Sequence, residues 1–411
     1  MHLFLNAIAA SAASGFTYVR NVVPHLMRRP DVKSTVLTSE LLRDEFSDTS
    51  NLKFLVAGEG WSAARRSWFE QRELPKLLHS SRADILISAG NFALRGSPVP
   101  QILLSGNALY FCDDFSHDLI RRHAYRAWVD LKIRAWLAKR SVHWSDCTVA
   151  PSQAFADKLR NRSSAEVVAV HHGFDEDLFK ADNGPLPATL ESKLAGGTGT
   201  LRLFCVSHYN YFRNFETTFR ALSLVQKQLP TKKVQLLITC ELKPSAETGS
   251  YDPRRAAVLV RQLGIEENVL QLGVVPYRFL HHVYKACDVY VTASYAETFA
   301  HPTLEAMSCE LPIVASDLPV HQEICSNAAL YFPRFSPELL AQRIVEIATT
   351  PALRTRMTKA GQDRIRDFSW KAHVDRLITI GTEMVARTRP TLRTIQNGSP
   401  VERQSDHLYT G

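Results

Sequence analysis

Residues 294–316, reading SYAETFAHPTLEAMSCELPIVAS, constrain this chain more than any other stretch. They lie between an apolar, β-branched run at Val289–Thr292 and another at residues 313–315, a pattern that reads as strand, loop, helix, strand. That is half of a parallel α/β layer. Two carboxylates, Glu297 and Glu305, stand within it with seven residues between them, and Pro302 falls in the first turn of the helix, where its missing N–H costs nothing. Glu297 is therefore expected in the loop at the carboxyl end of the strand and Glu305 just inside the helix. In open α/β sheets ligands sit in that crevice, and helix N–H groups there favour an anion such as a phosphate.

Around the two carboxylates the order of Phe299, Pro302, LEAM, LP and SD resembles the motif of the retaining GT-B glycosyltransferases that use nucleotide-sugar donors. The resemblance implies that Glu297 holds the donor sugar, that Glu305 takes the ribose hydroxyls, and that the main chain of Thr298, Phe299, Ala300 and His301 faces the diphosphate. Thr298, Ala300 and Glu310 depart from the pattern, since that family usually has Gly there and small residues let a backbone approach a ligand closely. The fold it implies is α/β: GT-B architecture, with two Rossmann-like, doubly wound domains facing across a cleft.

A length of 411 residues calls for two domains by itself, and 45% hydrophobic with 22% charged residues is globular composition. Seven cysteines without a CxxC or a Cys/His cluster read as buried thiols of a reducing compartment, not as disulfides or a metal site. The first 16 residues have the small residues of a signal peptide but no basic start, so they read as a strand entering a loop. No stretch approaches the roughly 20 apolar residues of a membrane span. A soluble, cytoplasmic protein is expected, peripheral at the inner membrane face where its basic residues meet anionic lipid. The net charge of +8 suits an anionic donor, and no recognised nucleic-acid-binding arrangement accompanies it.

Strand-like runs at residues 3–7, 35–38, 54–57, 85–88 and Gln101–Leu104 alternate with helical patterns, most clearly at 67–78, as a Rossmann-like half requires. Residues 11–18 read as a loop of small residues; by resemblance it borders the diphosphate, with Gly15 the one glycine left. At the tip of the strand Gln101–Leu104 relatives carry a His or His-Asp pair beside the reacting sugar, and here Gly106 and Asn107 take that place. Asn107 can hydrogen-bond a sugar hydroxyl but is neither acid nor base. His117 competes for the imidazole role with a plain solvated helix start. Residues 120–144 form one long helical pattern with seven Lys and Arg among Tyr125, Trp128 and Trp136. Such a helix reads either as contact with an anionic membrane or as a solvated face with core aromatics.

The segment around Gly173, Phe174 and Asp175 resembles the element that ends the first domain, so the Asp175-x-Asp177 pair is not read as a metal site. The expected organisation is a first, acceptor domain over 1–180, a linker over 181–200 and a donor domain over 201–372. A helix over 373–388 crosses back to the first domain, and a disordered tail covers 389–411. By resemblance His208 and Arg213, five positions apart after the next strand, contact the donor phosphates, and the loop at Val275 passes the nucleobase. Arg213 is the stronger candidate because a guanidinium stays charged and clamps phosphate oxygens in a fork. Glu297, Arg213 and Asn107 are the expected catalytic residues. No metal and no cofactor is implied, only a nucleotide-sugar donor with UDP and GDP undecided and a glycan, lipid-linked or small-molecule acceptor. A non-catalytic donor-binding scaffold and a sugar-nucleotide epimerase remain as alternatives.

Overall fold

In the computed structural model the apolar runs become strands β1 (His2–Asn6), β2 (Lys33–Thr38), β3 (Leu52–Val56), β4 (Ile85–Ala89), β5 (Gln101–Leu104), β6 (Cys147–Ala150) and β7 (Val167–Ala169), then β8 (Leu201–Cys205), β9 (Val234–Ile238), β10 (Val269–Gln271), β11 (Val289–Thr292), β12 (Ile313–Ser316) and β13 (Ala329–Phe332). The structure describes residues 1–9, 13–57, 60–163, 165–182, 184–195, 199–243 and 251–396, with the main chain alone at 13–14 and 389–396. Two sheets result, in the orders β3-β2-β1-β4-β5-β6-β7 and β10-β9-β8-β11-β12-β13, and every strand pair is parallel. Strands β1, β4, β8, β11 and β12 are buried at every position, which is why they read as continuous apolar runs: helical crossovers cover both faces of a parallel sheet. Each sheet reverses its strand order beside its first strand, between β1 and β4 and between β8 and β11. Those two reversals open the crevices in which a doubly wound sheet receives ligands.

Several boundaries differ from the sequence reading. The small residues after β1 do not form a loop to residue 18; the helix Ala13–Met27 has begun by then, and Gly15 lies in its first turn. Residues 11 and 12 lie outside the described residues. The helical pattern at 67–78 is two helices, Ala63–Arg72 and Leu74–Ser81, parted at Glu73, because Pro75 has no N–H to return to the carbonyl of Gln71. The long basic pattern is likewise two helices, Asp113–Arg121 and Tyr125–Trp144, with His123 turning the chain at φ 57° between them. The linker carries a short helix, Ala188–Leu194.

The last helix, Trp370–Gln396, continues past residue 388 and packs Trp370, Val374, Leu377 and Ile378 against β1 and the helix Ala13–Met27 of the first domain. Of the expected disordered tail, residues 397–411 lie outside the described residues. At the crossing point the backbone of Trp370 comes so near Gly173 that a Cβ there would lie 2.0 Å from the Trp370 nitrogen. Only glycine fits. Asp175, next to it, caps the helix Glu176–Phe179 by accepting from Leu178 N–H at 2.9 Å.

The helix His301–Ser308 ends in a Schellman motif, with Leu311 N–H donating to Ala306 O at 2.9 Å and Glu310 N–H to Met307 O at 3.1 Å. The motif needs a left-handed residue, and Glu310 supplies it at φ 57°. A side chain costs about 1 to 2 kcal/mol in that conformation, more than the roughly 0.4 to 1 kcal/mol that glycine loses through its freer unfolded chain. Glu310→Gly is expected to raise stability by about 1 kcal/mol, read as a higher urea midpoint at unchanged slope; a lower midpoint would show that the Glu310 side chain contributes a stabilising contact.

Candidate functional site

The strand order of the second sheet decides which loops meet. β8 and β11 are neighbours, so the segment after β8 and the loop after β11 flank one crevice. The first carries Arg213 at the end of a 3-10 turn, Tyr211–Arg213, held by the left-handed Asn214 at φ 54°. The second carries Glu297. Their side chains form an ion pair through Arg213 Nη1 and Glu297 Oε1, and the same nitrogen donates to Ser294 Oγ at 3.3 Å. Only part of the guanidinium is used. Arg213 Nε is buried without an acceptor among the described residues, and a buried donor left in that way calls for an explanation.

Behind the pair lies a polar relay that sequence reasoning missed. Ser294 O accepts from Ser316 Oγ at 2.5 Å, and Ser316 holds His321 Nδ1 through both its hydroxyl and its carbonyl at 3.0 Å. His321 is fully buried and its Nε2 has no partner among the described residues. Burial lowers its pKa. With Nδ1–H donating to a carbonyl, Nε2 is left as an acceptor.

Glu305 lies in the helix His301–Ser308 at 6% exposure, and its Oε2 accepts from Tyr284 O–H at 2.8 Å. Burial pushes its pKa up to about 7, with the Tyr284 hydrogen bond offsetting only part of the effect. Phe299 and Ala300 are buried too, so main chain is what they have to offer a ligand. Ala300 takes the left-handed conformation at φ 63°, ψ 51°, where glycine would be unstrained.

Each remaining sequence candidate has a definite place. Thr298 bridges the cleft, its carbonyl accepting from Ser152 Oγ at 2.7 Å and its hydroxyl donating to Gly106 O at 3.3 Å. This brings the tip of β5 to the Glu297 loop. Asn107 is there, but its Oδ1 is occupied as the cap of the next turn, accepting from Leu109 N–H at 3.0 Å. His208 is exposed, and Val275 is half-buried. His117 is exposed on the helix Asp113–Arg121, whereas its neighbour Asp118 turns inward and accepts from Tyr295 O–H of the second domain at 2.9 Å.

His301, at the start of its helix, joins an imidazole cluster between the domains. Its Nε2 lies 3.1 Å from His172 Nδ1, and both rings stack with Trp370. His373 Nδ1–H donates to His171 O at 2.8 Å, which leaves Nε2 to accept from Tyr18 O–H at 2.8 Å. Burial, with His373 adding to it at His301, brings His301 and His373 down to about 4, and burial with the surrounding imidazoles puts His172 well below its ordinary value. A second bridge is made by Glu323, which accepts from Gln153 and Ala154 N–H at the start of the helix Gln153–Arg160, both at 2.7 Å, and pairs with His171 at 2.6 Å. Although burial works against it, these hydrogen bonds hold Glu323 below the usual carboxylate range.

Residues 192–364 match the family described as Glycosyl transferases group 1, and residues 16–178 match Glycosyltransferase Family 4. A D-inositol 3-phosphate glycosyltransferase of Saccharomonospora viridis is 28% identical over 179 residues, 43% of this chain and 41% of that protein. O-antigen chain mannosyltransferase B of Escherichia coli is 31% identical over 100 residues, 24% of this chain and 26% of its own length. The chain spans about half the length of the first curated relatives it matches. Among solved structures, sucrose-phosphate synthase from Thermosynechococcus elongatus superposes with a TM-score of 0.71 at 18% identity, covering 94% of this chain and all of that one. Anabaena HepE, solved with UDP and glucose, superposes with a TM-score of 0.66 at 14% identity, covering 93% and 100%. At these identities the two structures speak for the fold alone.

Glu305 carries a pH signature. Its pKa in the fold, about 7, lies above the ordinary 4.5; the folded protein therefore binds this proton more tightly, and stability falls as pH rises from 4.5 to 7. Glu305→Gln is expected to flatten that fall and to stabilise the ligand-free protein at pH 8 by about 2 to 3 kcal/mol. Thermal melts of both proteins from pH 5 to 8 check it, and parallel profiles would show Glu305 to be ionised in the fold across the range.

Proposed function

We propose that this chain is a glycosyltransferase of GT-B architecture and that it transfers a sugar with retained configuration from a nucleoside diphosphate donor to a glycan, lipid-linked or small-molecule acceptor. The observation that carries this reading is the meeting of Arg213 and Glu297 at the strand-order reversal of the second sheet, with Arg213 Nε left unmet. As the bond between the anomeric carbon and the diphosphate oxygen breaks, its electron pair leaves with the diphosphate. Arg213 and the amides at the start of the helix His301–Ser308 neutralise that charge. Glu297 holds the sugar whose anomeric carbon turns positive, and Glu305 with Tyr284 receives the ribose hydroxyls. No metal role is read into the Asp175-x-Asp177 pair, since Asp175 Oδ1 serves as the cap of its helix.

The first domain presents the acceptor. Thr298 and Ser152 bring its loops against the donor loop, so closure excludes water that would otherwise hydrolyse the donor. One observation favours a binding-only protein: Asn107 Oδ1, at the place of an expected sugar contact, is tied up by Leu109. Incubation with UDP- and GDP-sugars separates the readings, with inositol phosphates and oligosaccharides as acceptors in view of what the relatives are named for. Nucleotide diphosphate released only when acceptor is present supports transfer; an epimerised donor, or binding without turnover, contradicts it.

The two carboxylates are expected to part kinetically. The ribose is unchanged between ground and transition states, so Glu305→Gln should raise KM about tenfold at nearly constant kcat. The charge that Glu297 faces develops only in the transition state, so Glu297→Gln should lower kcat about a hundredfold. Steady-state kinetics on the two variants side by side checks this, and normal turnover in folded Glu297→Gln would remove that residue from the sugar.

A further inference from the structure

The helix Tyr125–Trp144 is apolar on two faces. One face, with Leu131, Ala135, Ala138 and Val142, is buried in the core. The other carries Tyr125, Val129, Ile133 and Trp136, exposed at 57%, 48%, 56% and 56%. At about 100° per residue these four fall within an arc of roughly 80°, on the side away from the core. Four large apolar side chains in one exposed line are not the scattered surface residues of an ordinary protein.

The charges around the line have one sign. Lys132 and Lys139 border it on one side and Arg126 on the other, Arg140 follows one turn beyond Trp136, and Asp130 is the helix's one acidic residue. Asp130 is already paired with Arg134 at 2.8 Å. Among the described residues none of Arg126, Lys132, Lys139 and Arg140 has a carboxylate partner. Lys132 and Arg140 lie over the rings of Trp128 and Trp136, at 5.5 and 5.6 Å, so stem and ring stand together as a polar-tipped apolar ridge. Ile120, 41% exposed at the end of the preceding helix, and the exposed Arg121 extend the same composition.

We propose that this face docks on an anionic lipid bilayer, with Tyr125, Val129, Ile133 and Trp136 entering the headgroup region and the flanking Lys and Arg meeting lipid phosphates. An apolar line framed by unpaired cations is complementary to such a surface, which offers acyl chains and negative charge together. A second copy of the chain would bring the same cations against each other. The orientation has a consequence for the cleft. The preceding helix, Asp113–Arg121, touches the second domain through Asp118 and Tyr295, so a docked protein holds the cleft edge close to the bilayer, where a lipid-linked acceptor would lie. The docking itself stands on the surface alone and does not require the glycosyltransferase reading.

The test is cosedimentation of the full chain with vesicles of phosphatidylcholine alone and of equal parts phosphatidylcholine and phosphatidylglycerol, together with sedimentation velocity without lipid. Expected is binding to the anionic vesicles that high salt weakens, little binding to the neutral ones, and a loss of at least about tenfold in Ile133→Ser with Trp136→Ser. A second variant, Lys132→Ser with Lys139→Ser, should also lose binding while keeping the wild-type melting temperature. The proposal is overturned if wild type ignores anionic vesicles, if it binds neutral vesicles equally, or if folded variants bind as wild type does. A wild-type dimer that Ile133→Ser with Trp136→Ser converts to monomer, without vesicle binding, would make the face a self-association surface instead.

Discussion

An ion pair between a guanidinium and a carboxylate, Arg213 with Glu297, holds the centre of this molecule, and it exists only because β8 and β11 are neighbours. Both side chains are largely covered, at 21% and 12% exposure. A pair so placed loses hydration on both partners, and removing one strands the other charge. Its worth to stability is therefore modest; in the proposed transfer a diphosphate takes the guanidinium while a sugar hydroxyl takes the freed carboxylate, so that neither charge is left uncompensated. The buried, unmet Nε of Arg213 fits that exchange. Ser294, Ser316 and His321 fix the floor on which it happens.

The pair faces a cleft that is closed in this structure. Glu323 sits on the first amides of the helix Gln153–Arg160, where the helix dipole favours a negative charge. Arg122 of the first domain reaches Glu216 of the second at 2.9 Å while lying 4.1 Å over the Tyr211 ring. Arg334 pairs with Asp114 at 3.0 Å, but both are more than a third exposed, so that contact adds little. The neutral imidazoles of His172, His301 and His373 complete the seam and connect it to the last helix through Trp370. Any opening of the cleft would have to break these covered contacts.

What could be read from the sequence was what is local in it. Glu297 and Glu305 share one strand-loop-helix unit, so periodicity and Pro302 were enough to place both. The parallel strands were legible because burial on both faces makes them continuous apolar runs. The partner of Arg213 was not legible, being 84 positions away and set by strand order, and the same holds for Tyr284 with Glu305 and for His172 with His301. The breaks at Glu73 and His123 escaped notice because the apolar spacing continues across them, and a left-handed histidine leaves no mark of the kind that glycine does. Asn107 lies in the loop after β5, beside the Glu297 loop, but whether its oxygen was free depended on a turn that sequence does not announce.

Titration calorimetry tests directly whether Arg213 exchanges its carboxylate for the diphosphate of the proposed donor. Uridine and guanosine would each be compared with their mono- and diphosphates on wild type and on folded Arg213→Ala. The account predicts, for the series that binds, that nucleoside affinity is unchanged while diphosphate affinity falls by about ten- to a hundredfold, the size of a charge-assisted contact. An equal loss for nucleoside and nucleoside diphosphate would make Arg213 a structural residue and contradict the account.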